Sequence, residues 1–264
     1  MTLRWLGVAG IEIVSDTQTL LVDPYLSRIP IWKSILGRIQ PNQQAVAKIR
    51  RADFILVTHA HFDHLLDVPQ IVKNTGAKIY GSENTCALLT ALGVPSSLLN
   101  IVKQWDSLAL GDMDVDCFPF EHAQVPGYGC GPLPRNLRPP LRARDYRMDY
   151  GLCFRIATGG ASLLTDPGYG LDVNVSTDVL LTQPYHGKAY YRECLNLIHP
   201  KSVIPIHWDN LFSYDDERPY FMPPAFKWPP IKRINLDEFK AVIQGLSPST
   251  SVIIPKKFET VELV

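Results

Sequence analysis

No apolar run in the 264 residues approaches the roughly 20 that a bilayer-crossing helix requires, so a membrane span of that kind is excluded. Net charge is also lacking. Twenty-six Lys and Arg balance 26 Asp and Glu, which leaves no whole-molecule field to hold a phosphate backbone, and no nucleic-acid partner is expected. Cysteine is scarce and unpaired. Cys86, Cys117, Cys130, Cys153 and Cys194 are scattered, odd in number and free of any C-x-x-C pair. That argues against a disulfide framework and against a thiolate zinc site, and predicts buried, reduced thiols. The opening stretch is broken by Glu12 and Asp16, unlike the uninterrupted core of a secretory signal. A reducing, cytoplasmic location is the expectation. What remains is ordinary: 46% hydrophobic and 20% charged residues, enough for a sizeable core and consistent with a single α/β domain over residues 1–264.

The first third reads as a meander of short strands at 3–6, 11–14 and 19–22, the last closed by Asp23-Pro24. Residues 41–51 have helical spacing and 53–58 is an apolar run of strand length. Helices are expected at 65–75 and 84–92 with a short strand at 78–80 between them. In the second half, strands are expected at 115–120, 152–157 and 161–165. The last ends in Asp166-Pro167, an echo of Asp23-Pro24 that suggests two similar halves. A helix at 236–244 and strands near 252–254 and 260–263 finish the chain.

Two segments resist assignment to regular structure. Residues 126–147 are rich in Pro and Gly and carry Arg135, Arg138, Arg142, Arg144 and Arg147 against one acid, Asp145. This reads as a long loop, either solvated or an anion-facing cover in which Arg135, Arg138 and Arg142 would meet substrate. Residues 208–230 mix Pro with Trp208, Phe212, Tyr214, Tyr220, Phe221, Phe226 and Trp228. That ring density requires packing, either as core cover, subunit contact or a pocket wall.

Thr58-His59-Ala60-His61-Phe62-Asp63-His64 places three imidazoles and a carboxylate directly after a buried strand. In an extended loop, residues two apart face the same way, so His59 and His61 can meet one ion, while Asp63 and His64 point to a neighbouring volume. Crowded bases have no packing benefit, and coordination to a cation explains them. Two-residue spacing supplies at most half of a tetrahedral site. Further ligands are sought at strand ends, where His122, Asp166 and His207 lie, although His and Asp there are also common turn residues.

The segment His59 to His64 resembles the H-x-H-x-D-H signature of the metallo-β-lactamase superfamily, in its hydrolase branches rather than the antibiotic-resistance enzymes. Asp23, His122, Asp166 in Thr165-Asp166-Pro167-Gly168, and His207 in Ile204-Pro205-Ile206-His207 follow in the family's order. Trp5-Leu6-Gly7 and the stretch ending His207-Trp208 are similar to the branch containing ascorbate-6-phosphate lactonase and the N-acyl-phosphatidylethanolamine phospholipase D type enzymes. The resemblance implies a four-layer αββα sandwich with a binuclear centre at one edge. His59, His61 and His122 would hold one ion and Asp63, His64 and His207 the other. Asp166 would bridge, and Asp23 would orient a ligand by hydrogen bonding. Asp63 and Asp166 would thus serve catalysis as well as coordination.

The chemistry so implied is hydrolysis by a metal-bridging hydroxide of an ester, lactone or phosphodiester bond in a small anionic substrate, with two divalent ions, zinc foremost and manganese or iron as alternatives. His186 follows a strand in the second half and is a candidate to protonate the leaving group; His199 reads as surface. A lipid substrate with peripheral membrane contact, and a non-catalytic metal-binding protein, are the competing readings.

Overall fold

The computed structural model describes residues 1–122, 129–170, 175–214, 220–221 and 232–263. Strands Thr2–Gly7, Gly10–Val14 and Thr19–Val22 form an antiparallel meander whose side chains are nearly all buried. Uniform burial on both faces needs cover on both sides, and this is what the apolar run Leu20-Leu21-Val22 reflects. Phe54–Leu56, Lys78–Gly81 and Leu99–Ile101 then add in parallel, and Thr260–Glu262 pairs antiparallel at the opposite edge, completing seven strands.

The second sheet repeats the plan. Ser107–Leu110, Met113–Phe120, Gly151–Thr158 and Ala161–Leu164 run antiparallel, followed by parallel Val179–Thr182, Ser202–Pro205 and Ser251–Val252. In each sheet the last meander strand ends in an Asp-Pro turn and the first parallel strand pairs beside it. Asp23 and Asp166 therefore occupy matching places in the two halves, as their shared sequence context suggested. One core cluster joins both sheets to the first sheet's helices, through residues such as Trp5, Ile55, Ile71, Leu88, Phe154 and Ile204. A second lies between the other face of the second sheet and two helices, with Leu164, Leu180, Tyr191, Ile198, Phe239 and Ile243. The result is an α/β sandwich of two mixed sheets with helices outside.

The helices follow their apolar spacing. Val68–Thr75 buries Val68, Ile71 and Val72, begins with Pro in its first turn and stops at Gly76 in the left-handed region. Lys188–Ile198 buries Tyr191, Cys194, Leu195 and Ile198, an i, i+3, i+4, i+7 stripe that the sequence reading passed over. Leu236–Leu246 is capped by the Asn235 side chain and buries Phe239 and Ile243.

Several expectations change. The helix expected over 41–51 is a single turn, Gln43–Val46, capped by Asn42. The helix expected from 65 is broken: Phe62–Leu65 ends before Val68–Thr75 begins. Ile31–Leu36, unassigned from sequence, is a short helix with no buried residue. Four cysteines are buried and free as expected, but Cys130 is exposed. Within 126–147, residues 126–128 lie outside the described residues. From Gly129 on, the segment is more ordered than a plain loop: Gly129–Cys130 pairs in parallel with Arg147–Met148, and Ala143–Asp145 forms a helical turn. In the ring-rich segment 208–230, Trp208 stacks on Trp5 with centroids 4.7 Å apart, and Phe212 packs on the core. The rings of Tyr220, Phe221, Phe226 and Trp228 lie outside the described residues.

Candidate metal centre

The buried strand Phe54–Leu56 delivers Thr58 and the histidines to the rim of its sheet, and the turn Phe62–Leu65 starts at once, with the His61 carbonyl accepting from the amides of His64 and Leu65. This abrupt change from extended to helical backbone splits the cluster into two sets. The His59, His61 and His122 rings stand 4.7 to 4.8 Å apart centroid to centroid. One nitrogen from each forms a group within 4.8 Å, and Asp63, His64 and His207 form a second group within the same limit. Each group combines residues from both halves of the chain.

Local contacts position the second half's contributions. His122 follows Met113–Phe120, and the bridge between Glu121 and Gly168 ties that strand end to the turn carrying Asp166. Gly168 has φ +70°, and a Cβ there would lie 2.3 Å from the Glu121 carbonyl oxygen, so only glycine permits the approach. His207 follows Ser202–Pro205 with φ 57°, and its amide donates to the Val8 carbonyl at 2.7 Å. Its Nε2 lies 3.5 Å from Asp63 Oδ2, and His64 Nε2 lies 3.6 Å from the same oxygen.

Behind these groups stands a layer of hydrogen bonds. Asp23 accepts from the Thr58 amide at 2.8 Å and the Thr58 hydroxyl at 2.5 Å, and its Oδ2 lies 2.8 Å from His64 Nδ1. Thr58 Oγ1 is also 2.9 Å from His59 Nδ1, and His61 Nε2 is 3.1 Å from the Gly129 carbonyl. Each of these contacts occupies one ring nitrogen and fixes the other as the nitrogen available to a cation. Sequence reasoning found Asp23 but missed Thr58, whose position just before the histidines was the available signal.

A deeper support holds the site's rim. Arg28 and Asp209 form a fully buried ion pair of 2.7 Å, joined by Lys257 at 3.1 Å, and Asp209 accepts from the Val8 amide at 2.7 Å. Gly7 lies against this pair: with φ +100°, a Cβ there would meet the Arg28 guanidinium at 2.0 Å. Val8 itself is held at φ 50°, a backbone region that β-branched residues rarely enter.

The electrostatics of the residues alone suit a cation. Burial, then neighbouring imidazoles, pushes the His59 pKa well down, and burial and His122 push His61 down to about 3. Burial would raise the Asp63 carboxyl, but His64 and His207 outweigh it and hold the pKa low. Burial would lower His64, but Asp23 and Asp63 outweigh it and raise the pKa. Asp166 is raised by burial to about 6. Its Oδ1 is 3.4 to 3.5 Å from the Gly168 amide and the Thr182 and Tyr190 hydroxyls. Its Oδ2, Asp63 Oδ1 and His59 Nε2 are buried with no hydrogen-bond partner among the described residues. Buried lone pairs without donors are costly, and cations would satisfy them, so the residues present fit a metal centre.

His186 follows Val179–Thr182, the strand that matches Phe54–Leu56 in the other half. Its ring stacks on Tyr190 at 4.0 Å, and Tyr190 in turn reaches Asp166. Burial lowers its pKa to about 4, so it is neutral near pH 7. The arginines lead elsewhere. Arg38 donates to the carbonyls of Arg138 and Pro140 at 2.7 and 2.5 Å, and the Ile39 amide donates to the Leu141 carbonyl. Pro139, Pro140 and Tyr146 line an outer groove with Leu66, Pro69 and Val72. Among the described contacts, none joins Arg135, Arg138 or Arg142 to the imidazole cluster; Gly129 is where this segment touches it.

A family model described as a beta-lactamase superfamily domain matches residues 18–141, which include Asp23, the whole His59 to His64 cluster and His122. A UPF0173 metal-dependent hydrolase of Staphylothermus marinus is 27% identical over 270 residues, 98% of this chain and 97% of the relative. The chain has the α/β sandwich of metallo-β-lactamase fold proteins, and its relatives over the full length are metal-dependent hydrolases. A UPF0173 metal-dependent hydrolase of Polynucleobacter asymbioticus is 37% identical over 97 residues, 35% of this chain, and the match spans only 30% of that relative's length. Among solved structures, Igni18, a metallo hydrolase from Ignicoccus hospitalis, superposes with a TM-score of 0.65 over 98% of this chain and 97% of its own, at 18% identity. At that identity the likeness speaks for the metallo-β-lactamase fold alone.

Proposed function

We propose that this protein is a metal-dependent hydrolase that cleaves an ester, lactone or phosphodiester bond in a small anionic substrate. The observation that carries the reading is the pair of three-ligand groups, each with donor atoms within 4.8 Å, together with the buried, partnerless oxygen of Asp166. His59, His61 and His122 would hold one ion and Asp63, His64 and His207 the other, and Asp166 would serve both, as the superfamily resemblance implies. Five imidazoles with two carboxylates suit zinc first, and manganese or iron next.

Two divalent ions, when bound, would supply Lewis acidity that lowers the pKa of water and polarises the scissile bond. The chain's own residues set the stage for that chemistry. Asp23 and Thr58 hold the His64 and His59 rings in one orientation. Tyr190, Thr182 and the Gly168 amide hold one Asp166 oxygen and so aim the other. His186 is our candidate at the leaving group. With its pKa near 4 it acts there as the N–H of a neutral imidazole, stabilising developing charge by hydrogen bonding. The anionic character of the substrate follows from the expected cations rather than from the arginine segment. A lipid ester is a second reading, favoured by the exposed apolar helix Ile31–Leu36.

The test is elemental analysis of the native protein, then a screen of phosphodiesters, lactones and acyl esters with the matched metal. Turnover that is lost on chelation, restored by the metal and abolished in a folded Asp166→Asn variant is expected. Hydrolysis that survives complete metal removal would overturn the proposal.

A further inference from the structure

The helix Ile31–Leu36 presents Ile31, Trp32, Ile35 and Leu36 to solvent at 46, 65, 68 and 74% exposure. Four large apolar side chains on six residues, none of them buried, is not how a short helix normally survives in water. Its surroundings are basic. From Pro24 to Ala52 the chain contains no acid; Lys33 lies within the helix and Arg38 two residues after it, while Arg28 is buried against Asp209. The arginine-rich segment lies alongside: the helical turn Ala143–Asp145 packs against this helix, and Arg38 is bonded to the backbone of Arg138 and Pro140. Half-buried Lys33 and exposed Arg38 are thus joined by exposed Arg138 and Arg144 from the other segment, with Asp145 the one acid there and bonded to the Arg142 amide.

We infer that Ile31–Leu36 and the adjoining arginine segment form a docking surface for an anionic phospholipid bilayer. Trp32, Ile35 and Leu36 would enter the headgroup and acyl boundary while the cations engage lipid phosphates, the arrangement of an interfacial basic helix. Charge complementarity selects this occupant. A two-fold contact between copies of this chain would set the same cations against each other, whereas an anionic leaflet pairs all of them. The helix follows the strand Thr19–Val22 and Asp23 in the chain, and within the arginine segment Gly129 neighbours His61. The inference rests on the surface alone and holds whichever bond the site cleaves.

The test is flotation of the full chain with vesicles of phosphatidylcholine alone or with about 30 mol% phosphatidylglycerol. Binding to the anionic vesicles only, released by salt at a concentration that screens within a few ångströms, is expected. Leu36→Ser and Ile35→Ser should each weaken partition about tenfold through lost apolar burial, and Arg144→Glu at least about fivefold through the charge. Tryptophan emission should shift to the blue on binding in the wild type and not in Trp32→Phe. Melting temperatures of these surface variants should match the wild type. Equal binding to neutral vesicles, or no binding to anionic ones, would overturn the inference. So would a dimer in size-exclusion chromatography that Leu36→Ser converts to monomer, because the helix would then be a subunit contact.

Discussion

Asp23 Oδ2 lies 2.8 Å from His64 Nδ1 with both side chains buried, and the second Asp23 oxygen accepts from the Thr58 amide. The carboxylate thus fixes the ring that faces Asp63 and ties it to the backbone just before the histidine cluster. Asn at position 23 tolerates the same left-handed backbone, φ 45°, and so isolates the charge. Asp23→Asn is expected to weaken metal affinity by about 10- to 100-fold. A chelator-competition titration would measure it, and an unchanged affinity would mean that His64 is oriented by something else.

The two ligand groups predict separable losses. His122→Ala removes a member of one group and His207→Ala a member of the other. Each variant is expected to bind one fewer ion than the wild type, read by elemental analysis after gel filtration. Spectroscopy with a cobalt substitute should show different remaining environments in the two. Identical spectra would argue for one shared site.

Asp209 holds three partners at once: the Arg28 guanidinium, the Lys257 ammonium and the Val8 amide. Burial would raise its pKa, but Arg28 and Lys257 outweigh it and hold it low. Asp209→Ala leaves a buried guanidinium without its counter-charge and should cost about 3–5 kcal/mol. Urea denaturation at constant m-value would report it. Arg28→Met should cost less, because Lys257 still faces the carboxylate.

His186 gives the acid limb of stability a defined sign. Its folded pKa is lowered by burial from 6.5 to about 4, so between those values the unfolded chain binds more protons. Stability from this group is complete above the unfolded value and falls as pH drops towards the folded one, by about 3 kcal/mol in all. Phe at position 186 keeps a ring against Tyr190 but cannot take a proton. Urea midpoints of the metal-free proteins should fall less steeply on acidification in His186→Phe than in the wild type. Parallel slopes would contradict the burial of the imidazole.

The strand ends were legible because burial on both faces writes itself as a continuous apolar run, and a polar residue straight after such a run must sit at the rim. That logic pointed to His59, His122, Asp166 and His207, with Asp23 added by the superfamily resemblance, and the repeated Asp-Pro corner did mark two sheets of like topology. Spacing separated His59 and His61 from Asp63 and His64, and superfamily resemblance assigned His122 and His207 to them. Thr58 was within reach, since a hydroxyl next to a histidine pair is a natural orienting partner. Tyr190 was not: its link to Asp166 depends on how the helix Lys188–Ile198 docks on the second sheet, which no local pattern encodes. The arginines were noticed for their charge, but their direction was set by the contact of Arg38 with Arg138 and Pro140, a pairing about a hundred residues apart in sequence that composition cannot reveal.

Each ligand group draws two side chains from the first sheet's loops and one from the second's: His122 joins His59 and His61, and His207 joins Asp63 and His64. Prising the two sheets apart at this edge therefore strips a ligand from both groups together. Ion release and opening of the seam become a single event, so slow amide exchange along the facing strand ends should report how fully the centre is loaded, before any substrate is known.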